Sequence, residues 1–354
     1  MIKFEKKLFS NEDIDGFIEL SKSEFLRTKG MKNSKFIEWK FILNPLGKSN
    51  YFYFKFKDNL VGRIMSAQYP GKLAMDKKIL KSFCLSDLFI KKNYRQLSNL
   101  KTLYTKCLDE TNGVVFHSSN ENSEKFYTKI LNKKKFFDLI SCGLPLSLKP
   151  LKKYNLFVKS IYCIFINIYL FHLFILKKIG QLFSKCKIEH NKNIFFDEDV
   201  KKLIDLTFYN GECFFYKDSK FFDWRYKPYE NVHFLKIYKS QKLIGYIILV
   251  ETEVLELKNM IIIDFLFLKN LSLLDRFKIK NKIIEISKRN SCDTIYSLGN
   301  KNNHMFQNII GYPFFNLPDT LLPHSNPMFI HNLPEKNYAQ VANINFTISD
   351  FDYF

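Results

Sequence analysis

The sequence predicts a mixed α/β protein of the α+β kind, built as two tandem mixed-sheet modules joined by an apolar helical insertion. Three observations predict it. One ordered pattern of residues occurs twice along the 354-residue chain. Within each copy, alternating and β-branched apolar runs read as strands and lead into helical stretches. A Lys-flanked apolar segment separates the copies, which places the modules at 1–150 and 190–354 with the insertion at 151–189. A chain of this length suits two domains of about 100–200 residues each.

The first copy opens on Phe36-Ile-Glu-Trp39, passes Asn44-Pro45 and enters the strand-like run Tyr51–Phe56. Lys57-Asp58-Asn59 supplies turn residues, and Leu60-Val-Gly62-Arg63-Ile64 resumes as a second strand. The second copy opens on Phe221-Phe-Asp-Trp224, passes Pro228 and continues with His233–Tyr238, a turn at Lys239-Ser240-Gln241 and Leu243-Ile-Gly245-Tyr-Ile247. Leu85-Ser-Asp87-Leu-Phe-Ile90 parallels Ile262-Ile-Asp264-Phe-Leu-Phe267. A helical stretch follows each, Arg95 to Leu108 and Leu274 to Lys288, then a short apolar strand, Val114–Phe116 and Thr294–Tyr296, and then an Asn, Asn120 and Asn300. Five features in one order make a duplication, and strands alternating with helices make each copy mixed α/β.

The insertion carries a 17-residue apolar run, Ser160 to Leu176, broken by Asn167 and His172 and flanked by Lys pairs. A bilayer span needs about 20 such residues. Crossing the membrane would also put the two copies on opposite sides. The expectation is therefore a helix lying in a membrane interface, with a helix packed on the protein's own core as the alternative.

Composition narrows the function classes. With 46% hydrophobic and 25% charged residues the chain is globular, and 12 Gly and 10 Pro exclude collagen-like or low-complexity architectures. A mean hydropathy of −0.18 argues against a polytopic membrane protein. Seven dispersed Cys with no CxxC pair form neither a disulfide framework nor a zinc site, and read as thiols in a reducing compartment. No metal site is expected from seven scattered His. The N-terminus shows no apolar leader, so the expected location is cytoplasmic. Net charge is +20, yet only six of the 55 cations are Arg. Nucleic-acid binding is not expected from a charge carried almost wholly by Lys. Contact with an anionic membrane surface at the inner face of the cytoplasmic membrane, or with phosphorylated substrates, is expected.

The order of elements resembles the GNAT acyltransferase family. In that family a strand with the pattern D-hydrophobic-x-V-x-P-x-Y-R precedes a loop R/Q-x-x-G-x-G/A at a helix N-terminus. Here the run is Asp87-Leu-Phe89-Ile90-Lys-Lys-Asn-Tyr-Arg95, then Gln96-Leu-Ser98-Asn99-Leu100. Ser98 and Leu100 stand at the two small-residue positions. The family signature N-x-x-A/S-x-x-x-Y is met by Asn120, Ser123 and Tyr127. The resemblance implies an acyl-CoA co-substrate, with acetyl-CoA as the simplest case. Its pyrophosphate would lie on the N–H groups around Arg95, Gln96, Ser98 and Asn99. An oxyanion-directed backbone N–H would lie near Phe89 and Ile90, Asn120 and Ser123 near the pantetheine arm, and Tyr127 would be the general acid.

The second copy has no Tyr at the acid position and no glycine loop, so the first module is expected to be the catalytic one. The whole chain also resembles tandem GNAT proteins of bacterial surface-polysaccharide gene clusters, through Phe222-Asp-Trp224-Arg225-Tyr226, Phe36-Ile-Glu-Trp39-Lys40 and the stretch Asn345 to Phe354. That resemblance implies acyl transfer to an amino sugar or related saccharide precursor, with Trp39, Trp224 and Arg225 as acceptor contacts.

Two residues are candidate bases. His117 ends a predicted strand shortly before Asn120, and Asp87 could deprotonate an amine through water. A surface or capping His and a turn-forming Asp are the competing roles. No P-loop, HExxH, GxSxG or dinucleotide fingerprint occurs. Two alternatives to acyl-CoA chemistry remain from the sequence. One is a Fem-type transferase using aminoacyl-tRNA, and the other is a non-catalytic binding or scaffold protein.

Overall fold

The architecture comes from a computed structural model that describes residues 2–21, 33–68, 71–119, 121–147, 149, 172, 175, 178, 184–254, 256–268, 271–311, 313–316 and 326–350. The apolar run expected at 160–176 lies outside these residues apart from His172 and Ile175, and Asn120 also lies outside them. Among the described residues no helix is long and apolar enough to cross a membrane.

The first half contains β1 (Ile2–Leu8), α1 (Ile14–Ser21), α2 (Ser34–Phe41), β2 (Asn50–Phe56), β3 (Asn59–Ala67), β4 (Lys72–Met75) and β5 (Lys78–Ile90). It continues with α3 (Leu97–Asp109), β6 (Val114–Ser118), α4 (Glu121–Lys125) with a π-helical turn over Phe126–Ile130, and β7 (Lys135–Pro145). The second half contains β8 (Cys186–Asn191), α5 (Glu198–Tyr209), β9 (Phe214–Tyr216), α6 (Ser219–Tyr226), β10 (Val232–Lys239), β11 (Lys242–Val254) and β12 (Leu257–Phe267). It closes with α7 (Leu273–Arg289), β13 (Thr294–Asn300), α8 (His304–Gln307), β14 (Phe315–Asn316), β15 (Asn326–His331) and α9 (Tyr338–Val341).

Local chemistry accounts for where these elements begin and turn. Asn33, Asp197, Asp218 and Ser272 stand before α2, α5, α6 and α7, and each accepts a backbone N–H of its helix's first turn. The hairpins β2–β3, β4–β5 and β10–β11 turn on Lys57-Asp58, Asp76-Lys77 and Ser240-Gln241. All six residues have positive φ, as a two-residue turn matched to strand twist requires.

One sheet runs through both halves in the order β1-β2-β3-β5-β6-β15-β7-β13-β12-β11-β10-β8, with β4 paired to β5 and β9, and β14 to β7. The two halves exchange strands at its centre. β7, from the first half, pairs antiparallel with β13 from Thr294↔Pro145 to Asn300↔Leu139. β15, from the second half, pairs antiparallel with β6 from Met328↔Ser118 to His331↔Val115. β15 and β7 then pair with each other, so no break in the sheet falls between the sequence copies.

The duplication is visible in register. Gly62 lies opposite Ile90, and Gly245 opposite Phe267. Asp87 and Asp264 stand three residues before those partners. Trp39 and Trp224 face each other across the halves, with ring centroids 5.0 Å apart. Each indole N–H donates to the other's backbone carbonyl at 2.9 Å.

A side chain at Gly245 is excluded by the neighbouring strand. Its Cβ would fall 2.9 Å from the Leu266 carbonyl oxygen and 2.8 Å from Phe267 Cε1. Gly245→Ala is expected to destabilise the fold by about 1–3 kcal/mol through overpacking. Gly62→Ala should cost less, because the closest neighbours there lie at 3.1 and 3.3 Å. Paired chemical-denaturation curves for the two variants check this ordering.

Candidate active site

The site forms where two parallel strands part. β5 pairs with β6 only over Ser82–Cys84 against Val114–Phe116. On its other edge β5 stays paired with β3 as far as Ile90↔Gly62, and there it bulges. Arg63 faces Phe89 and Met65 faces Ser86, so Asp87 and Leu88 together oppose Ile64. Asp87 adopts a left-handed φ of 56° at this bulge. The bulge turns β5 away from β6 and opens a cavity of about 230 Å³.

Leu85, Ser86, Asp87 and Leu88 form one wall of the cavity, and Phe116, His117 and Ser118 form another. Tyr104 of α3, Tyr127 of the π-helical turn, and Met328, Phe346 and Asp350 from the second half complete it. The fold thus brings the three candidate catalytic residues, Asp87, His117 and Tyr127, to one cavity.

Their surroundings differ. Lys40, wholly buried on α2, donates from Nζ to Asp87 Oδ2 at 3.2 Å, and Ser86 Oγ donates to the same oxygen at 2.9 Å. Behind them the buried Arg63 guanidinium lies over the Phe17 ring. Burial pushes it down to about 10, and the Asp87 charge pulls in the opposite direction. Tyr127 is buried, with its ring centroid 4.4 Å from that of His117, and burial raises its phenol above the ordinary range. It therefore keeps its proton at neutral pH.

The His117 ring is committed. Its Nε2 lies 2.6 Å from the Tyr104 hydroxyl and 3.0 Å from Nε2 of His331, which in turn lies 2.7 Å from the same hydroxyl. Two imidazole nitrogens this close cannot both carry hydrogens toward each other, so at least one ring accepts. Burial, reinforced by His331, holds His117 well below its ordinary value, and burial pushes His331 down to about 3. His117 is a buried neutral member of a hydrogen-bonded cluster, which disfavours the expected role of general base.

The loop after β5 is built from the expected residues, several of them engaged with their own backbone. Arg95 turns back to donate from Nε to the Ile90 carbonyl at 2.7 Å, with its guanidinium carbon 5.8 Å from the Phe89 ring centroid. Asn99 Nδ2 donates to the Tyr94 carbonyl at 2.9 Å. Gln96 occupies the N-cap of α3 without a side-chain cap, and Ser98 is exposed in the first turn. Leu100 packs inward against the core instead of filling the loop. Ser123 is half-buried on α4.

Trp39, Trp224 and Arg225, expected as acceptor contacts, do not line the cavity. The two indoles clasp the halves together as described, and Arg225 lies over Trp39 at 5.6 Å and donates from Nε to the Ser349 carbonyl at 2.9 Å. Their flat, donor-bearing side chains serve the packing of α2 against α6.

The corresponding cleft in the second half is closed. β12 and β13 pair over Asn259–Ile262 against Thr294–Ser297, and the chain's last described residues run through the space beyond. Asn345 Nδ2 donates to the Phe265 carbonyl at 3.0 Å, and Thr347 Oγ1 donates to Asp264 at 3.1 Å. Asn300 Nδ2 donates to the Ala342 carbonyl at 2.9 Å. A void of about 10 Å³ is what is left there.

Tyr104, His331, Lys40 and Asp350 are site residues that sequence reasoning missed. Only the order Phe36-Ile-Glu-Trp39-Lys40 and the stretch from Asn345 onward drew attention to the last two, as repeat and family motifs.

No protein-family model matches the sequence, and no curated protein matches it. Solved structures do. A GCN5-related N-acetyltransferase from Anabaena variabilis is 10% identical, with a TM-score of 0.57 over 93% of this chain and 72% of that one. A tandem GNAT protein from the clavulanic acid biosynthesis pathway is 9% identical, with a TM-score of 0.55 over 94% of this chain and 98% of that one. N-myristoyltransferase from Saccharomyces cerevisiae, solved with bound myristoyl-CoA, is 12% identical, with a TM-score of 0.50 over 93% and 79%. The chain has the GNAT acyltransferase fold, and its full-length likeness to a tandem protein matches the duplication read from the residues.

The His pair predicts a pH effect on stability. The depressed folded-state values mean that the unfolded chain takes up protons first. The cluster's contribution is complete above about 6.5 and declines as pH falls toward about 3. Asp350, raised to about 6, acts with the opposite sign over part of the same window. His331→Gln removes one titrating ring, so its melting temperature should fall less steeply than the wild type's between those limits. Parallel slopes in thermal melts would refute the assignment.

Proposed function

We propose that this protein is an acyl-CoA-dependent N-acyltransferase whose first half holds the reaction site. The observation that carries the reading is the asymmetry of the two clefts. The first opens onto a cavity lined by Tyr127 and Asp87, whereas the second is filled by the chain's own residues.

The described residues fit a pyrophosphate-bearing donor at the start of α3. The helix begins without a side-chain cap, and the inward turn of Leu100 leaves the loop backbone uncovered. Bound there, an acyl-CoA would supply an activated thioester. The protein's own part is to hold the donor along the unpaired edge of β5, with backbone near Phe89 and Ile90 facing the carbonyl. Tyr127 keeps a proton ready for the departing sulfur, and the apolar walls Phe116, Met328 and Phe346 limit water. An amino sugar or related precursor of surface polysaccharide is the acceptor that the tandem resemblance favours.

Calorimetric titration with acetyl-CoA tests donor binding. An aminoacyl-tRNA bound in its place would move the reading to the tRNA-dependent class, and binding of neither would leave a non-catalytic protein. Tyr127→Phe should lower turnover by about 10²–10⁴-fold and leave the melting temperature nearly unchanged, because the ring's packing is retained. Full activity in that variant would remove Tyr127 as the acid.

A further inference from the structure

The walls of the open cavity come from two different hydrophobic cores. Ile64, Leu85, Tyr104 and Tyr127 belong to the core beneath α3, while Phe116, Met328 and Phe346 belong to the larger core shared by both halves. Strand alternation explains the split. Val115 and Phe329 point into the first of these cores, so their neighbours Phe116 and Met328 point to the opposite face of the sheet. The cavity therefore runs through the gap between β5 and β6, from one face of the sheet to the other.

The two faces differ in chemistry. The α3 face carries the Tyr104 and Tyr127 rings with their hydroxyls, packed around His117. The far face ends in a closed floor. Phe116, Met328 and Phe346 are 0%, 1% and 2% exposed. A second rank of rings stands behind them. Phe215 lies 5.1 Å from Phe116 and 5.5 Å from Phe346, and Phe137 lies 6.3 Å from Phe346, centroid to centroid. Cys84 lies on this side too, since its neighbours Phe83 and Leu85 point to the α3 face. Asp350, which lines the cavity beside them, is turned to Lys217 and to the Thr347 N–H. Rings and a thioether suit a saturated chain and would leave the hydroxyls of a saccharide without partners.

Size points the same way. An apolar cavity of about 150 Å³ is filled by a benzene molecule. At that density this one, of about 230 Å³, takes about nine carbon-sized groups. An acetyl group and the amine that attacks it use less than half of that room.

We propose that the donor of this reaction carries a medium-length acyl chain, about four to eight carbons, whose tail crosses the sheet and ends on Phe116, Met328 and Phe346. The assignment rests on the acyl-transfer reading above and adds the length of the transferred group. Met328 is delivered by the exchanged strand β15, and Phe346 by the segment that fills the second cleft. The second half therefore sets the chain length, although its own cleft is filled. Each methylene buried in the cavity tightens binding, and the gain stops where the floor is reached.

Calorimetric titration of the full chain with acetyl-, hexanoyl- and dodecanoyl-CoA reads the chain length. Hexanoyl-CoA should bind at least about thirtyfold more tightly than acetyl-CoA, from its added methylenes. Dodecanoyl-CoA should bind no more tightly than hexanoyl-CoA. Met328→Trp fills the floor and should cut the hexanoyl advantage to about threefold or less. Cys84→Leu, at a half-buried position, narrows the same space and keeps the test decisive if Met328→Trp does not fold. Equal affinity for acetyl- and hexanoyl-CoA overturns the proposal and leaves the acyl-CoA reading standing. Affinity that keeps rising to dodecanoyl-CoA also overturns it, as do folded variants that keep the wild-type preference. The alcohol 1-hexanol needs no nucleotide site and separates the remaining case. Hexanol bound by the wild type and not by Met328→Trp, with no CoA ester bound, would sink the acyl-transfer reading and leave an apolar-chain pocket. Binding of no probe sinks both.

Discussion

The exchange of β7 and β15 between the halves is the constraint on which the rest of the molecule depends. Each half's sheet is finished by a strand from the other, and the two exchanged strands pair with each other at the centre. Separating the halves would strip backbone hydrogen bonds from both sheets, and buried backbone groups do not tolerate that loss. The Trp39–Trp224 clasp is the same relation repeated in side chains at a second point of contact between the halves. The exchange also decides what reaches the cavity. His331 arrives on β15 to meet Tyr104 and His117, and Met328 comes with it.

The two copies diverged by what entered the gap between their parallel strands. Both have an Asp beside a bulge at the point where the strands part, Asp87 in one and Asp264 in the other. In the second copy Asp264 is saturated by Tyr226, Tyr246, Thr347 and Lys217, and the chain's own segment from Ala342 to Asp350 fills the space. In the first, Asp87 is met by Lys40 and the neighbouring Ser86, and the gap stays open. The segment that closes one cleft ends in the wall of the other, because Asp350 and Phe346 line the open cavity. One run of residues therefore both fills one cleft and furnishes a wall of the other.

Legibility in the sequence followed the range of the interactions. The strands and helices of both copies were readable because side-chain alternation, helix caps and two-residue turns are local. Val114–Phe116 and Thr294–Tyr296 read as strands and are strands, and the helical stretches from Arg95 and Leu274 fall on α3 and α7. His117 was readable as a candidate from the strand end that the pattern located, Asp87 from the repeated strand motif, and Tyr127 from the family signature that follows. Trp39, Trp224 and Arg225 lie away from the open cavity, and a repeated Trp motif looks the same in sequence whether it binds a ligand or clasps two modules.

By itself the sequence determined that the chain is duplicated, that each copy is mixed α/β, and that the second copy lacks the first copy's tyrosine. Residue spacing carries all three. Only the tertiary structure decided that Tyr104 and His331 tie His117 into a neutral cluster, and that Asp350 stands at a cavity formed by strands more than 200 residues earlier. These contacts depend on strand exchange and on a segment threaded through a distant gap. No local periodicity or turn residue encodes either of them, because the energy that fixes them comes from completing the other half's sheet and core.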